Sequence, residues 1–143
     1  MARIALTAAA LLVAGIARAD APPQSSVNGF WSTQDGAGVA EIAGCGGNIC
    51  GWLMGFRDQP PPKDYRGDSE CRLEFIFPMK PSNDGKWTGQ ILNPTTGGIY
   101  QAWLIPAAGD TLYLRGYLGL SVFGQTQVWT RFKGHLTADC KIE

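Results

Sequence analysis

The sequence predicts an all-β domain of about eight antiparallel strands, joined up and down and closed into a barrel. Three observations predict it. Short apolar or alternating runs recur between clusters of Gly, Pro, Asn and Asp, at the spacing of an all-β chain. The 19 Gly and 9 Pro follow no strict period, as suits a protein of many strands and turns. Hairpin-length turn signals separate successive runs, so sequence neighbours pair antiparallel, and closing that order into a barrel leaves no edge strand exposed.

The chain opens MARIALTAAALLVAGIARADAPP. Arg3 supplies a positive start, Ile4 to Ile16 an apolar stretch and Ala17-Arg18-Ala19 a small-residue cleavage signal, so residues 1–19 are expected to be a secretory signal peptide removed after Ala19. No later stretch approaches the roughly 20 apolar residues of a membrane helix, so no transmembrane segment is expected in the mature chain. Residues 20–27 (DAPPQSSV) are expected to be a flexible lead, and 28–143 a single barrel domain.

The expected strands are Gly29–Thr33, Val39–Ala43, Ile49–Phe56, Arg72–Phe77, Lys86–Leu92, Ile99–Ile105, Thr111–Leu118 and Thr126–Lys133. Alternation assigns faces in several. Leu73, Phe75 and Phe77 are expected on one face of the fourth, opposite Arg72 and Glu74. Leu112 and Leu114 oppose Tyr113 and Arg115 in the seventh. Asn83-Asp84-Gly85, Pro94 to Gly98 and Ala107 to Asp110 supply hairpin turns. Arg57 to Glu70 (RDQPPPKDYRGDSE) is too polar and proline-rich for a central strand, and reads as a surface loop over one barrel end.

Four cysteines in an exported chain point to disulfides rather than to zinc. In CGGNICG a four-residue turn, Gly46 to Ile49, would bring Cys45 and Cys50 within bridging distance, leaving Cys71 to pair with Cys140. By loop-closure entropy the short bridge contributes about 2 kcal/mol and the long one roughly 4 kcal/mol as an upper value.

Gly29-Phe30-Trp31 in the first strand and Trp129-Thr130-Arg131 in the last would be neighbours at the seam of a closed barrel, where Arg131 can lie over the Trp31 ring. This G-x-W and W-x-R pair resembles the signature of lipocalin and fatty-acid-binding barrels. The segments VAEIAGCGGNICG (39–51), WTGQILNPTTGGIY (87–100) and LYLRGYLGLSVFGQTQVWTR (112–131) are similar to the exported bacterial family catalogued as domain of unknown function 2147. The resemblance implies a lipocalin-like (calycin-type) barrel, periplasmic or secreted, and implies no reaction. The middle loop departs from that family's usual Asn-Pro element, with QPPPKDYRGDSE in its place.

The candidate binding face comprises Tyr113, Arg115, Tyr117, Gln127, Trp129 and Arg131, with Gln125 beside them. Turned inward, these residues would hold an amphipathic anion, an arginine meeting its carboxylate; turned outward, they would be an ordinary polar exterior. No catalytic set assembles: the single histidine, His135, follows the last strand, and Asp58, Asp64, Asp68 and Glu70 match no acid–base or calcium spacing. No metal site and no cofactor are expected. Twelve Lys plus Arg balance twelve Asp plus Glu; loss of Arg3 and Arg18 with the signal peptide would leave a net charge of about −2, giving no electrostatic case for a nucleic acid. The favoured reading is an exported barrel binding a small hydrophobic or amphipathic molecule without catalysis. The alternative is an envelope interaction or assembly protein with a filled barrel and a partner-docking loop 57–70.

Overall fold

A computed structural model describes residues 14–15, 21–117 and 124–143. All of the expected signal peptide except residues 14 and 15, and the β7–β8 connection 118–123, lie outside the described residues. Eight strands, β1 (Gly29–Ser32), β2 (Gly38–Cys45), β3 (Asn48–Phe56), β4 (Glu74–Pro81), β5 (Trp87–Leu92), β6 (Ile99–Ala107), β7 (Thr111–Tyr117) and β8 (Gln125–Arg131), follow one another around a closed barrel. Every neighbouring pair is antiparallel, and β1 closes on β8 through Trp31 opposite Arg131 and Ser32 opposite Thr130.

Up-and-down order places the β2–β3, β4–β5 and β6–β7 turns at one end and the other four connections at the opposite end. The first end is plugged. Val27, Trp31 and Trp87 are almost wholly buried, and Trp31 Nε1 donates to the Val27 carbonyl at 2.8 Å. The described residues 21–27 of the lead that is expected to be flexible make contacts with the barrel. Gln24–Ser26 form a 3-10 turn, and the Gln24 amide donates to the carbonyls of Gly46 and Asn48, both at 2.9 Å. Those carbonyls terminate a hairpin, so the polar lead is held by groups that would otherwise need water.

The seam explains the G-x-W spacing. The Arg131 guanidinium lies 3.8 Å from the Trp31 ring centroid, and its Nη1 donates to the Asn28 carbonyl at 2.8 Å. Gly29 has a φ of 121°, and a Cβ there would stand 2.6 Å from Arg131 Nη1. Both the backbone angle and the arriving cation exclude a side chain.

Alternation fails in β4, where the expectation of Leu73, Phe75 and Phe77 on one face is corrected. The register runs from Trp52 opposite Glu74 to Gly51 opposite Ile76 and then to Ile49 opposite Met79, so β4 carries extra residues at two places. Each bulge moves the strand out of phase with its neighbour. Phe75 and Ile76 are consequently both buried, as is Met79, while Phe77 is half-buried. The strand also starts later than expected, because Arg72 has a φ of 67°.

The β2–β3 turn is tighter than expected. Cys45 pairs with Asn48 and Ala43 with Cys50, so the loop is the two residues Gly46-Gly47 and the Cys45–Cys50 bridge runs diagonally, with Cα atoms 5.9 Å apart. Only Gly46 takes positive φ, at 72°, as in a type II′ hairpin turn. The Cys71–Cys140 bridge, with Cα atoms 5.7 Å apart, secures the C-terminal tail where β3 loses β4 as a partner. There the Phe56 amide donates to the Cys140 carbonyl at 2.8 Å and the Ile142 amide to the Phe56 carbonyl at 3.2 Å. The tail also lies over the outer side of the β2–β3 bulge: a Cβ on Gly55 would meet Leu136, Ile142 and Val39. Val39 is buried as a result, although it sits on an outward register.

Candidate functional site

Among the described residues, the end opposite the plug is open. Two adjoining concavities, of about 670 Å³ and 760 Å³, share Phe75, Pro94, Gln125, Gln127 and Trp129. The first extends over Ile91, Leu92, Tyr100 and Leu114. The second extends towards Leu53 and Phe56 beneath the β1–β2 turn and the loop that follows β3, meeting Asp35, Asp58 and Glu70. Their floor is aromatic: Trp129 is 1% exposed, and its ring centroid lies 6.1 Å from that of Phe75. Trp129 Nε1 donates to Gln127 Oε1 at 2.8 Å, so the indole presents its apolar ring while its one polar atom is satisfied.

Register decides which expected residues meet here. In the β7–β8 pair, Leu112 lies opposite Trp129, Leu114 opposite Gln127 and Gly116 opposite Gln125, while Tyr113 lies opposite Val128 and Arg115 opposite Thr126. Cross-strand partners share a face. Gln125, Gln127 and Trp129 therefore face inward with the leucines. Tyr113 and Val128 are on the outer surface, as is Arg115, whose Nη1 donates to Thr126 Oγ1 at 2.6 Å. Tyr117 keeps that outward register opposite Gln101 and reaches the rim of the first concavity. Arg131 lies at the plugged end, engaged with Trp31, Asn28 and, at 3.9 Å, Asp110. The inward face that would pair an arginine with an anionic ligand is thus not formed. Neither Arg115 nor Arg131 lines the concavities.

The loop after β3 is ordered against this mouth. Lys63 bridges antiparallel to Ser69, and the Tyr65 amide donates to the Pro94 carbonyl in the β5–β6 turn at 2.7 Å. Asp64 organises the bend. Its carboxylate accepts from Arg66 Nη2 at 2.7 Å, Arg66 Nε at 3.0 Å and the amides of Arg66 and Asp68 at 2.9 and 3.1 Å. Burial alone would raise the Asp64 carboxyl, but these donors together hold it below its ordinary 3.8.

Glu70 is the residue whose role the sequence did not disclose. It is only 7% exposed yet lines the second concavity. Burial, and then the neighbouring charge of Asp64, push its carboxyl above its ordinary 4.5. A carboxylate in a charged, proline-rich loop reads as solvated. Its place beside the second concavity leaves little of the residue exposed.

Among the described residues, no three of His, Cys, Asp and Glu come together as a metal-binding group. His135 belongs to the tail, where its amide and carbonyl pair with Glu143.

The solved structure of protein HP1028 from the human pathogen Helicobacter pylori, described as belonging to the lipocalin family, superposes with a TM-score of 0.66 at 17% sequence identity, covering 75% of this chain and 83% of that one. At that identity the likeness concerns the fold. A search of curated proteins finds no match. The family model described as "Uncharacterized protein conserved in bacteria (DUF2147)" matches residues 29–131, a span running from the first residue of β1 to the last of β8, and the chain belongs to that family.

Proposed function

We propose that this chain is an exported lipocalin-like barrel that binds a small hydrophobic or amphipathic molecule in its open end and does no chemistry of its own. One observation carries the reading: a barrel plugged by Val27, Trp31 and Trp87 at one end keeps, at the other, aromatic-floored concavities of about 670 and 760 Å³. Those volumes fall within the range of small-molecule sites, which combine apolar walls with a few polar groups. Gln125, Gln127 and Glu70 are such groups here. The two disulfides and the expected signal peptide support an extracytoplasmic location. Protein recovered from the periplasm or medium should then begin at Asp20 and titrate no free thiol.

A neutral apolar dye, Nile red, tests the binding reading. Its fluorescence should rise and saturate near one equivalent of protein. Gly116→Leu should reduce that binding at least about tenfold, because Gly116 lines the first concavity and a side chain there occupies it. Undiminished binding by a folded Gly116→Leu variant would contradict the proposed site.

A further inference from the structure

We infer, building on the ligand-binding reading above, that the mouth takes a cationic amphiphile, with an amine head against Glu70 and an apolar body along Phe56, Phe75 and Trp129. The concavities are lined by three carboxylates, Asp35, Asp58 and Glu70, and by no Lys, Arg or His among the described residues.

The three carboxylates are not equivalent. Asp35 accepts from Thr33 Oγ1 at 2.8 Å and from the Ala37 amide at 3.0 Å. Asp58 stands 3.6 Å from Arg57 Nε, and both side chains are well exposed. Of the other two cations on the loop, Arg66 is held by Asp64 and Asp68, and Lys63, bridged to Ser69, is exposed and lines neither concavity. Glu70 alone combines burial of more than nine tenths with a carboxylate that no described residue bonds or pairs with.

Glu70 is mostly buried, but its carboxylate oxygens still reach solvent and have no partner among the described residues; a partly desolvated charge of this kind gains from a counter-ion. A ligand cation placed against it supplies both the missing charge and the missing donors. The protein's own groups leave that position open towards the concavity. Because these carboxylates do not converge into a metal-binding group, the complement is an organic ammonium or guanidinium with an apolar body, for which the aromatic floor provides the remaining contact.

Three probes of equal chain length separate the charge preference from binding itself: decylamine, decanol and decanoate, each titrated calorimetrically into the oxidised full chain below its micelle concentration. Decylamine should bind at least about tenfold more tightly than decanoate, the size of one charge-assisted contact. Glu70→Gln should abolish that preference, bringing decylamine and decanoate to parity. If decanol binds and decylamine has no advantage over decanoate, the charge preference is overturned and the hydrophobic pocket stands. If none of the three binds, both readings fall. Should Glu70→Gln not fold, as judged by circular dichroism, the ranking in the unaltered protein decides: preference for the amine supports the inference, and parity overturns it.

Discussion

Arg131 and Glu70 show how differently two charged residues can be placed by one barrel. Arg131 covers Trp31 and donates to the Asn28 carbonyl, so its charge serves the seam between the first and last strands. Arg131→Met should destabilise the protein by about 1 to 2 kcal/mol in urea unfolding, and Arg131→Lys should restore little of it, since an ammonium lacks the planar fork. Recovery with lysine would show that charge alone matters. Glu70 has the opposite energetics. Its folded carboxyl titrates above its ordinary 4.5, so the folded state holds the proton more tightly than the unfolded one. The stability associated with it is complete below 4.5 and is lost as pH rises through the folded value. Glu70→Gln should therefore raise the melting temperature at pH 7, with the gain shrinking towards zero as pH falls below 4.5. A gain that grows with acidity would contradict this sign. The seam pair is legible in the sequence because G-x-W and W-x-R lie on strands that closure makes neighbours. The environment of Glu70 is not, because it depends on how a proline-rich loop settles against a turn more than twenty residues away.

At the scale of elements, the sequence locates most strands and hairpins because each depends on local alternation and a nearby turn residue. Two failures have the same physical origin. Alternation fixes the faces within one strand, but it does not fix which face of the next strand it joins. In β7 and β8 the register sets even-numbered residues opposite odd-numbered ones, Leu112 against Trp129. A one-residue change of register exchanges inside for outside, so alternation alone groups Tyr113 and Arg115 with Gln127 and Trp129. In β4 the bulges break alternation within the strand itself. The disulfides are legible from cysteine count and compartment, and their consequences differ. Cys71→Ala with Cys140→Ala should cost up to about 4 kcal/mol, against about 2 kcal/mol for Cys45→Ala with Cys50→Ala, in denaturant unfolding. The first pair should also speed hydrogen exchange at the Phe56 amide, which the tail satisfies. Equal losses from both pairs, with Phe56 still protected, would show that the tail stays docked without its bridge.

For the whole molecule, the distribution of burial divides the barrel into a packed half and an open half. Trp31 and Trp87 belong to the first, Trp129 to the boundary, and Trp52 and Trp103 to strand registers facing outward. The five tryptophans therefore report separately on the plugged end, the floor of the mouth and the outer surface. Occupation of the mouth should perturb the Trp129 indole directly, since that ring forms its floor. The most direct measurement is the set of tryptophan indole N–H resonances in a ¹⁵N-labelled sample titrated with decylamine. Binding in the mouth predicts a saturable shift of Trp129 with Trp31 and Trp87 unmoved. Shifts confined to Trp52 and Trp103, or no saturable shift at all, would contradict it.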